Sequence, residues 1–245
     1  MNELTLSKMN QMKLYGMHGA FKTAIETGKT DHYTNDQFLA MLVESEWDDR
    51  NNRKTERMVN NARFHYKASV EDIVYDDSRN INRNSIIRLA ECDYINRNEN
   101  VLITGSTGVG KSYVATALGN QACFNGYRTM YFNATKLFAK LKMAKADGSY
   151  LKEMAKLERQ RLLVLDDFGL QPLDSQNRMI LMELIEDRNG KGSVIVTSQV
   201  PVKGWYDLIG EKTIADAIMD RLVHESHRVE ITGESMRRKK KMIIE

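Results

Sequence analysis

Scarcity is the first property of this 245-residue chain: it has two cysteines, two prolines and a formal net charge of only +3. No apolar run approaches the roughly 20 residues needed to cross a bilayer, and the opening Met1–Lys13 stretch is too polar for a signal peptide. The expected protein is therefore cytoplasmic, with no membrane partner. Cys92 and Cys123 stand in no metal-ligand or redox spacing, so neither a zinc site nor a disulfide framework is indicated and packing is left as their role. With prolines only at Pro172 and Pro201, no Gly/Ser-rich linker and no internal repeat, domain boundaries must come from periodicity. The small net charge does not by itself establish a nucleic-acid partner. Hydrophobic residues at 42% and charged residues at 28% exclude wholesale disorder, and the length suits one catalytic domain plus an accessory segment.

Charge is distributed unevenly. Arg50, Arg53, Lys54, Arg57, Arg63 and Lys67 form one basic cluster, in which Glu56 is the only acid after Asp49, and Arg237, Arg238, Lys239, Lys240 and Lys241 form another. The first cluster lies in a region of helical period. Met9, Met12, Met17, Phe21 and Ile25 predict a helix from Leu6 to about Thr27, which Gly28 breaks. Thr34 with Gln37 three residues on is a capping box, followed by Phe38, Leu39, Met41 and Leu42 on one face of a helix that can run through Trp47 towards Ala62. On that helix Arg50, Arg53, Lys54 and Arg57 share a stripe, with no acidic partner expected within the same turns. Residues 1–68 thus read as an all-helical domain that binds DNA or a partner, and residues 69–98 as a mixed, polar connector.

From residue 99 the pattern changes. Val101-Leu102-Ile103, Met130-Tyr131-Phe132, Leu162-Leu163-Val164-Leu165 and Val194-Ile195-Val196 are short apolar runs separated by helical stretches. Runs without polar alternation are the mark of strands covered on both faces, so residues 99–245 predict a doubly wound α/β domain with a parallel sheet. The first run leads into Gly105-Ser106-Thr107-Gly108-Val109-Gly110-Lys111-Ser112 and then a helix beginning at Tyr113, which is G-x-x-x-x-G-K-[ST] between strand and helix. Such a match arises by chance in about one chain in a hundred of this length. Its glycines admit backbone conformations closed to other residues, so that successive N–H groups and a helix N-terminus surround a nucleotide's phosphates. Lys111 supplies a cation to the β and γ phosphates, and Ser112 a hydroxyl to Mg²⁺.

The run Leu162–Leu165 ends in Asp166 and Asp167, the form of a Walker B strand expected beside the phosphate loop. Asp166 is the second candidate for the Mg²⁺ shell, and Asp167 the candidate for polarising the attacking water of ATP hydrolysis. Thr197-Ser198-Gln199 after the next strand read either as a γ-phosphate sensor or as a polar turn. Arg221, at the end of the helical segment from Ile214, reads either as an arginine finger acting in a neighbour's site or as a surface ion-pair partner.

Together these residues resemble the IstB/DnaC branch of the AAA+ ATPases, and within it the IstB family more than the DnaC helicase loaders. The resemblance covers nearly the whole chain. It rests on Leu6, Met9 to Met12, Leu14, Gly16 and Met17; on Gly105 to Ser112 with Ala117-Leu118-Gly119 and Ala122-Cys123; on Leu163 to Gly169, Pro172-Leu173, Thr197-Ser198 and Trp205; and on Ile214 to Leu222, His224 and Gly233-Glu234-Ser235. It implies an AAA+ P-loop core, a Mg²⁺-dependent ATPase and a homo-oligomer with ATP sites at subunit interfaces. That oligomer would assemble on double-stranded target DNA and assist a cognate IstA-like transposase in DNA transposition. It also implies that Arg221 is the finger and that Arg237 or Arg238 contacts nucleotide from the sensor II region. Two departures stand out: Gln199 occupies a place where the family commonly has Asn, and little sequence follows Arg238 to form a helical lid, which is therefore expected to be reduced or absent. A DnaC-like replicative helicase loader is the alternative; a small-molecule kinase, which needs an acceptor pocket and no finger in trans, fits less.

Overall fold

The structure is a computed structural model that describes residues 2–28 and 33–236. It divides into two compact units, Met1–Arg57 and Met58–Glu245. Among the described residues no helix is long and apolar enough to cross a membrane.

The first unit is helical: α1 (Asn2–Gln11), α2 (Tyr15–Glu26) and most of α3 (Asn35–Ala62). Periodicity predicts one helix from Leu6 to Thr27, but two are found. Lys13 takes the left-handed conformation, φ 60°, and the N–H of Leu14 closes back on the Met9 carbonyl at 2.9 Å, ending α1. The first amides of α2 then meet a carboxylate from α3, Gly16 N–H at 2.9 Å and Met17 N–H at 3.2 Å from Glu46 Oε2. A tertiary acceptor at a helix start satisfies amides that would otherwise be orphaned, and period alone cannot reveal it. Gly16 permits the approach, since a Cβ there would lie 2.2 Å from the Ser45 carbonyl oxygen. The capping box forms in both directions: Gln37 N–H to Thr34 Oγ1 at 3.3 Å and Thr34 N–H to Gln37 Oε1 at 3.0 Å. The helix it starts runs unbroken to Ala62.

The second unit is built on a five-stranded, wholly parallel sheet of β1 (Asn100–Gly105), β2 (Thr129–Asn133), β3 (Leu162–Phe168), β4 (Ser193–Ser198) and β5 (Ser226–Ile231), in the order β2-β3-β4-β1-β5. Before the sheet come α4 (Arg83–Ala90) and α5 (Asp93–Asn96). Helices α6 (Lys111–Phe124), α7 (Ala134–Asp147), α8 (Tyr150–Glu158), α9 (Ser175–Arg188), α10 (Trp205–Ile209) and α11 (Lys212–Val223) connect the strands. Two apolar clusters line the two faces: Ile103, Val114, Leu118 and Val164 are in one; Leu102, Leu141, Leu165, Leu181 and Ile218 in the other. Burial of β1, β3 and β4 on both faces is why they read as unbroken apolar runs.

Two features differ from the expectation, and the strand order adds a third on which the pattern is silent. β5 is not foreseen by the pattern, because at the sheet edge only Val229 and Ile231 of Ser226–Ile231 are buried and His227, Arg228 and Glu230 stay at the surface. β4 lies between β1 and β3, so the acidic strand is not the immediate neighbour of the strand that feeds the phosphate loop. Residues 69–98 do not form a mere connector: Ile73, Ile81, Ile86, Leu89, Tyr94 and Ile95 are buried in the core beside Val101 and Ile103. Helices α4 and α5 carry the last four of these. Their polar neighbours mask an apolar stripe in a short helix, since Ile86 and Leu89 are only three residues apart.

Candidate nucleotide-binding site

A cavity of about 1070 Å³ opens at the C-terminal ends of the strands. It is lined by Thr107, Gly108, Gly110, Lys111, Ser112 and Tyr113 from the loop and the start of α6, and by Asp166, Asp167 and Gln199 from the ends of β3 and β4. This is where open parallel sheets bind ligands, because chain connections diverge there and helix N-termini point inward.

The loop between β1 and α6 is fixed from behind. Gly108 and Gly110 have φ of 85° and 100°; a Cβ on Gly108 would sit 2.3 Å from Ser235 Oγ, and one on Gly110 2.8 Å from Arg79 Nη2. Both positions therefore need glycine for conformation and for space. The Gly108 carbonyl accepts from the Met236 N–H at 3.0 Å, and the Val109 carbonyl from Arg79 Nη2 at 2.6 Å. Lys111 is buried, its Nζ donating to the Ser106 carbonyl at 2.8 Å, so its ammonium lies across the loop.

The two aspartates sit on an irregularity. Pairing of β3 with β4 shifts between Leu165 and Phe168, and Asp167 has φ 57°. A regular strand would put consecutive side chains on opposite faces; the left-handed residue lets both carboxylates line one cavity. Buried Asp166 accepts from the Tyr131 hydroxyl on one oxygen and from the Thr197 hydroxyl on the other. Asp167 accepts from Asn133 Nδ2 at 3.2 Å, while its N–H donates to Thr197 Oγ1 at 3.0 Å. Burial first, and then the hydrogen bond to Asp166, push the Tyr131 phenol far above its ordinary range, so it stays a proton donor even in alkaline solution.

The triplet read as a sensor or a turn divides. Thr197 is fully buried and holds Asp166 and Asp167 in place; Ser198 Oγ donates to the Phe168 carbonyl at 2.7 Å. Gln199 lines the cavity and accepts from Thr107 Oγ1 at 2.6 Å. Arg221 lies elsewhere. Its carbonyl accepts from Asn100 Nδ2 at 3.1 Å, which puts it at the N-terminal ends of the strands, and its Nε is 2.7 Å from Glu186 Oε2. It is not among the residues lining the cavity. Arg237 and Arg238 lie outside the described residues.

The basic stripe is not as expected. Arg50 pairs with Glu46 at 2.6 Å and Arg53 with Asp49 at 2.6 Å, each one turn back, and the Arg53 guanidinium lies 4.9 Å over the Tyr15 ring. The acids that pair with the stripe stand at i−4, one turn before Arg50 and Arg53. Lys54 and Arg57 remain exposed, while Arg63 and Lys67 line the cavity of the second unit. Other lining residues belong to no motif, and four of them bear on the site: Arg79, Tyr131, Asn133 and Phe64. Asn133 alone has a signal, as a polar residue ending an apolar strand.

The donors fit a nucleoside triphosphate with Mg²⁺. The lining combines a glycine loop, a buried lysine and a helix N-terminus that carries Ser112 with two carboxylates from the end of β3. No group of three or more His, Cys, Asp or Glu able to hold a metal occurs among the described residues. Mg²⁺ bound with ATP does not require one, since phosphates and water fill most of its shell.

Comparisons agree with this geometry. The sequence matches the family described as IstB-like ATP binding protein over residues 7–243. It is 42% identical to an insertion sequence ATP-binding protein of Sinorhizobium fredii, covering 96% of each chain, and 30% identical to the ATP-binding protein of insertion sequence IS21 from Pseudomonas aeruginosa, covering 95% of this chain and 88% of the other. Among solved structures, DnaI matches with TM-score 0.59 and 22% identity over 72% of this chain and 94% of its own, and the DnaC helicase loader with TM-score 0.56 and 21% identity over 69% and 99%. AMPPCP-bound DnaA from Aquifex aeolicus matches with TM-score 0.57 and 18% identity over 74% and 56%. These likenesses show a shared AAA+ fold. A phosphate-binding loop and an acidic strand end on that fold, in a sequence that matches the family profile from residue 7 to 243, make this chain a member of the IstB-like ATP binding protein family.

Proposed function

We propose that this protein is a Mg²⁺-dependent ATPase that assembles as a homo-oligomer on double-stranded DNA and assists a cognate transposase in inserting a mobile element. The observation that carries the reading is the cavity in which Lys111, Ser112, Asp166 and Asp167 converge. In that site the amides of residues 108–113 and Lys111 bind the phosphates, Ser112 and Asp166 hold Mg²⁺, and Asp167 orients the attacking water. Held there by Ser112 and Asp166, Mg²⁺ would supply positive charge to offset that of the phosphates. Asp167 is shorter than the glutamate usual at such a position; its hydrogen bond from Asn133 fixes the carboxylate instead. Gln199 reaches the γ-phosphate region, and Arg221, remote from its own cavity, serves a neighbouring subunit as a finger. On this reading the protein works in the cytoplasm. The insertion-sequence names of its relatives support transposition over helicase loading, a role that a pull-down with replicative helicase in place of transposase would reveal.

The test is ATP turnover. Lys111→Ala abolishes binding or hydrolysis, and Asp167→Asn spares binding but slows hydrolysis by about 100-fold or more, the usual effect of losing a positioned general base. An Asp167→Asn protein that turns over ATP at the wild-type rate refutes the assignment of Asp167.

A further inference from the structure

Arg79 lies outside every motif, yet it is 5% exposed and its guanidinium sits against the phosphate loop. It ends a 3-10 turn (Asp77–Arg79) whose start is capped by the Asp76 side chain, which accepts from Ser78 N–H at 3.1 Å. One guanidinium nitrogen donates to the Val74 carbonyl and the other to the Val109 carbonyl. The Arg79 backbone is held as well: its carbonyl accepts from Thr232 N–H at 3.0 Å, and Thr232 Oγ1 donates to the Ser78 carbonyl at 3.1 Å. Burying an arginine against carbonyls costs desolvation, which lowers its pKa, so packing alone does not account for it.

Peptide geometry does. Peptide bonds among the described residues are trans, so the C=O of Val109 and the N–H of Gly110 point in opposite directions. Arg79 pulls the Val109 carbonyl to the outside of the loop, and Met236 N–H does the same to the Gly108 carbonyl. The N–H groups of Val109 and Gly110 are thereby turned together away from that buttress, as a nest for an anion requires. The loop needs such a buttress, since Gly110 is at φ 100° and a Cβ there would strike Arg79 Nη2. We propose that Arg79 is a positioning residue for nucleotide binding: it pre-orients the Val109–Gly110 peptide so that its amide faces the phosphates, and its cation adds to the positive potential of the loop. This rests on the ATP-site reading above and adds to it a residue that no motif contains.

The experiment is titration of a fluorescent ADP with full-length wild type, Arg79→Ala and Arg79→Lys, alongside thermal unfolding without nucleotide. Arg79→Ala is expected to bind about 10- to 100-fold more weakly, the range for losing a charge-assisted hydrogen bond. Arg79→Lys, which keeps the charge but reaches only one carbonyl, is expected to fall between the two and serves as the variant if Arg79→Ala does not fold. Millimolar methylguanidinium, able to occupy the space left in Arg79→Ala, is expected to restore affinity, whereas methylammonium is not. ATP turnover at saturation is expected to fall less than affinity, because positioning of the loop is regained once phosphates are bound. Unchanged affinity in a folded Arg79 variant overturns the proposal, as does a loss of affinity that tracks a fall in unfolding temperature and that methylguanidinium leaves untouched. If the wild type itself binds no nucleotide, the ATP-site reading fails instead.

Discussion

Asp166 shows how much a single side chain depends on its neighbours. Its two oxygens receive hydroxyl protons from strands on either side, Tyr131 on β2 and Thr197 on β4, so its position is set before any cation arrives. Pre-set ligands matter because reorienting a carboxylate during Mg²⁺ binding would cost affinity. Tyr131→Phe removes one hydroxyl while preserving the ring that packs edge-on against Phe64. It is expected to raise the Mg²⁺ concentration needed for half-maximal ATPase activity by about 10-fold or more, as loss of an outer-shell partner does, with nucleotide affinity in the absence of Mg²⁺ little changed. A magnesium titration of wild type and variant checks this, and superimposable curves contradict it. Asp166→Ala removes the proposed ligand itself and is expected to abolish Mg²⁺-dependent turnover.

At the scale of elements, the join of α2 to α3 turns on Glu46. Burial raises the pKa of this carboxyl, but hydrogen bonds from Arg50 and from the Met17 and Gly16 amides outweigh it, and the net shift is downward from 4.5. A carboxyl with a folded-state pKa below its unfolded value contributes stability that is complete above the unfolded value and is lost as pH falls through the folded one. The first unit is therefore expected to loosen in acid below about pH 4.5, and not between that value and neutrality. Protection of the Gly16 and Met17 amides against hydrogen exchange, followed from neutral to acidic pH, measures it. Glu46→Gln should remove most of the dependence. A wild-type protein whose two amides stay equally protected throughout contradicts the assignment. The same geometry makes Arg50 and Arg53 poor choices for testing DNA binding, because replacing them disturbs Glu46 and Asp49 as well.

For the whole molecule the questions are assembly and DNA. Arg221 stands at the strand ends opposite to its own cavity, bound to Glu186, so a role in hydrolysis requires a second subunit. Arg221→Ala is expected to lower ATPase activity with little effect on nucleotide affinity, and mixing it with Asp167→Asn subunits to restore part of the activity, since one interface then joins an intact finger to an intact site. Mixed assemblies that stay inactive argue against a finger in trans. On the proposed DNA path, Arg50, Lys54 and Arg57 are the exposed members of the stripe, and Arg50 is paired with Glu46. Replacing Lys54 and Arg57 by Ala is expected to weaken binding to all duplexes alike and to flatten the plot of log affinity against log salt by about 0.9 for each phosphate that is no longer neutralised. Identical slopes and affinities would take this stripe off the DNA path and turn attention to Arg237–Lys241.

What the sequence determined by itself was local chemistry with a short range. The phosphate loop between its strand and helix, the apolar strands, the paired aspartates and the Thr34–Gln37 capping box each depend on residues within a few positions of one another, so spacing alone exposes them. The tertiary structure decided whatever depends on a distant partner. The edge strand β5 reads as polar because one of its faces is solvent, and the break at Lys13 is paired with a capping carboxylate 30 residues away from Gly16. β4 separates the loop strand from the acidic strand through crossovers that no local pattern encodes. Thr197 has the position of a sensor and proves to be the pin that holds both aspartates, because strand pairing turned its hydroxyl inward. Arg79 and Tyr131 reach the site from segments with no motif at all, since a hydrogen bond to a carbonyl or a carboxylate requires proximity in space and leaves no periodic trace in the chain.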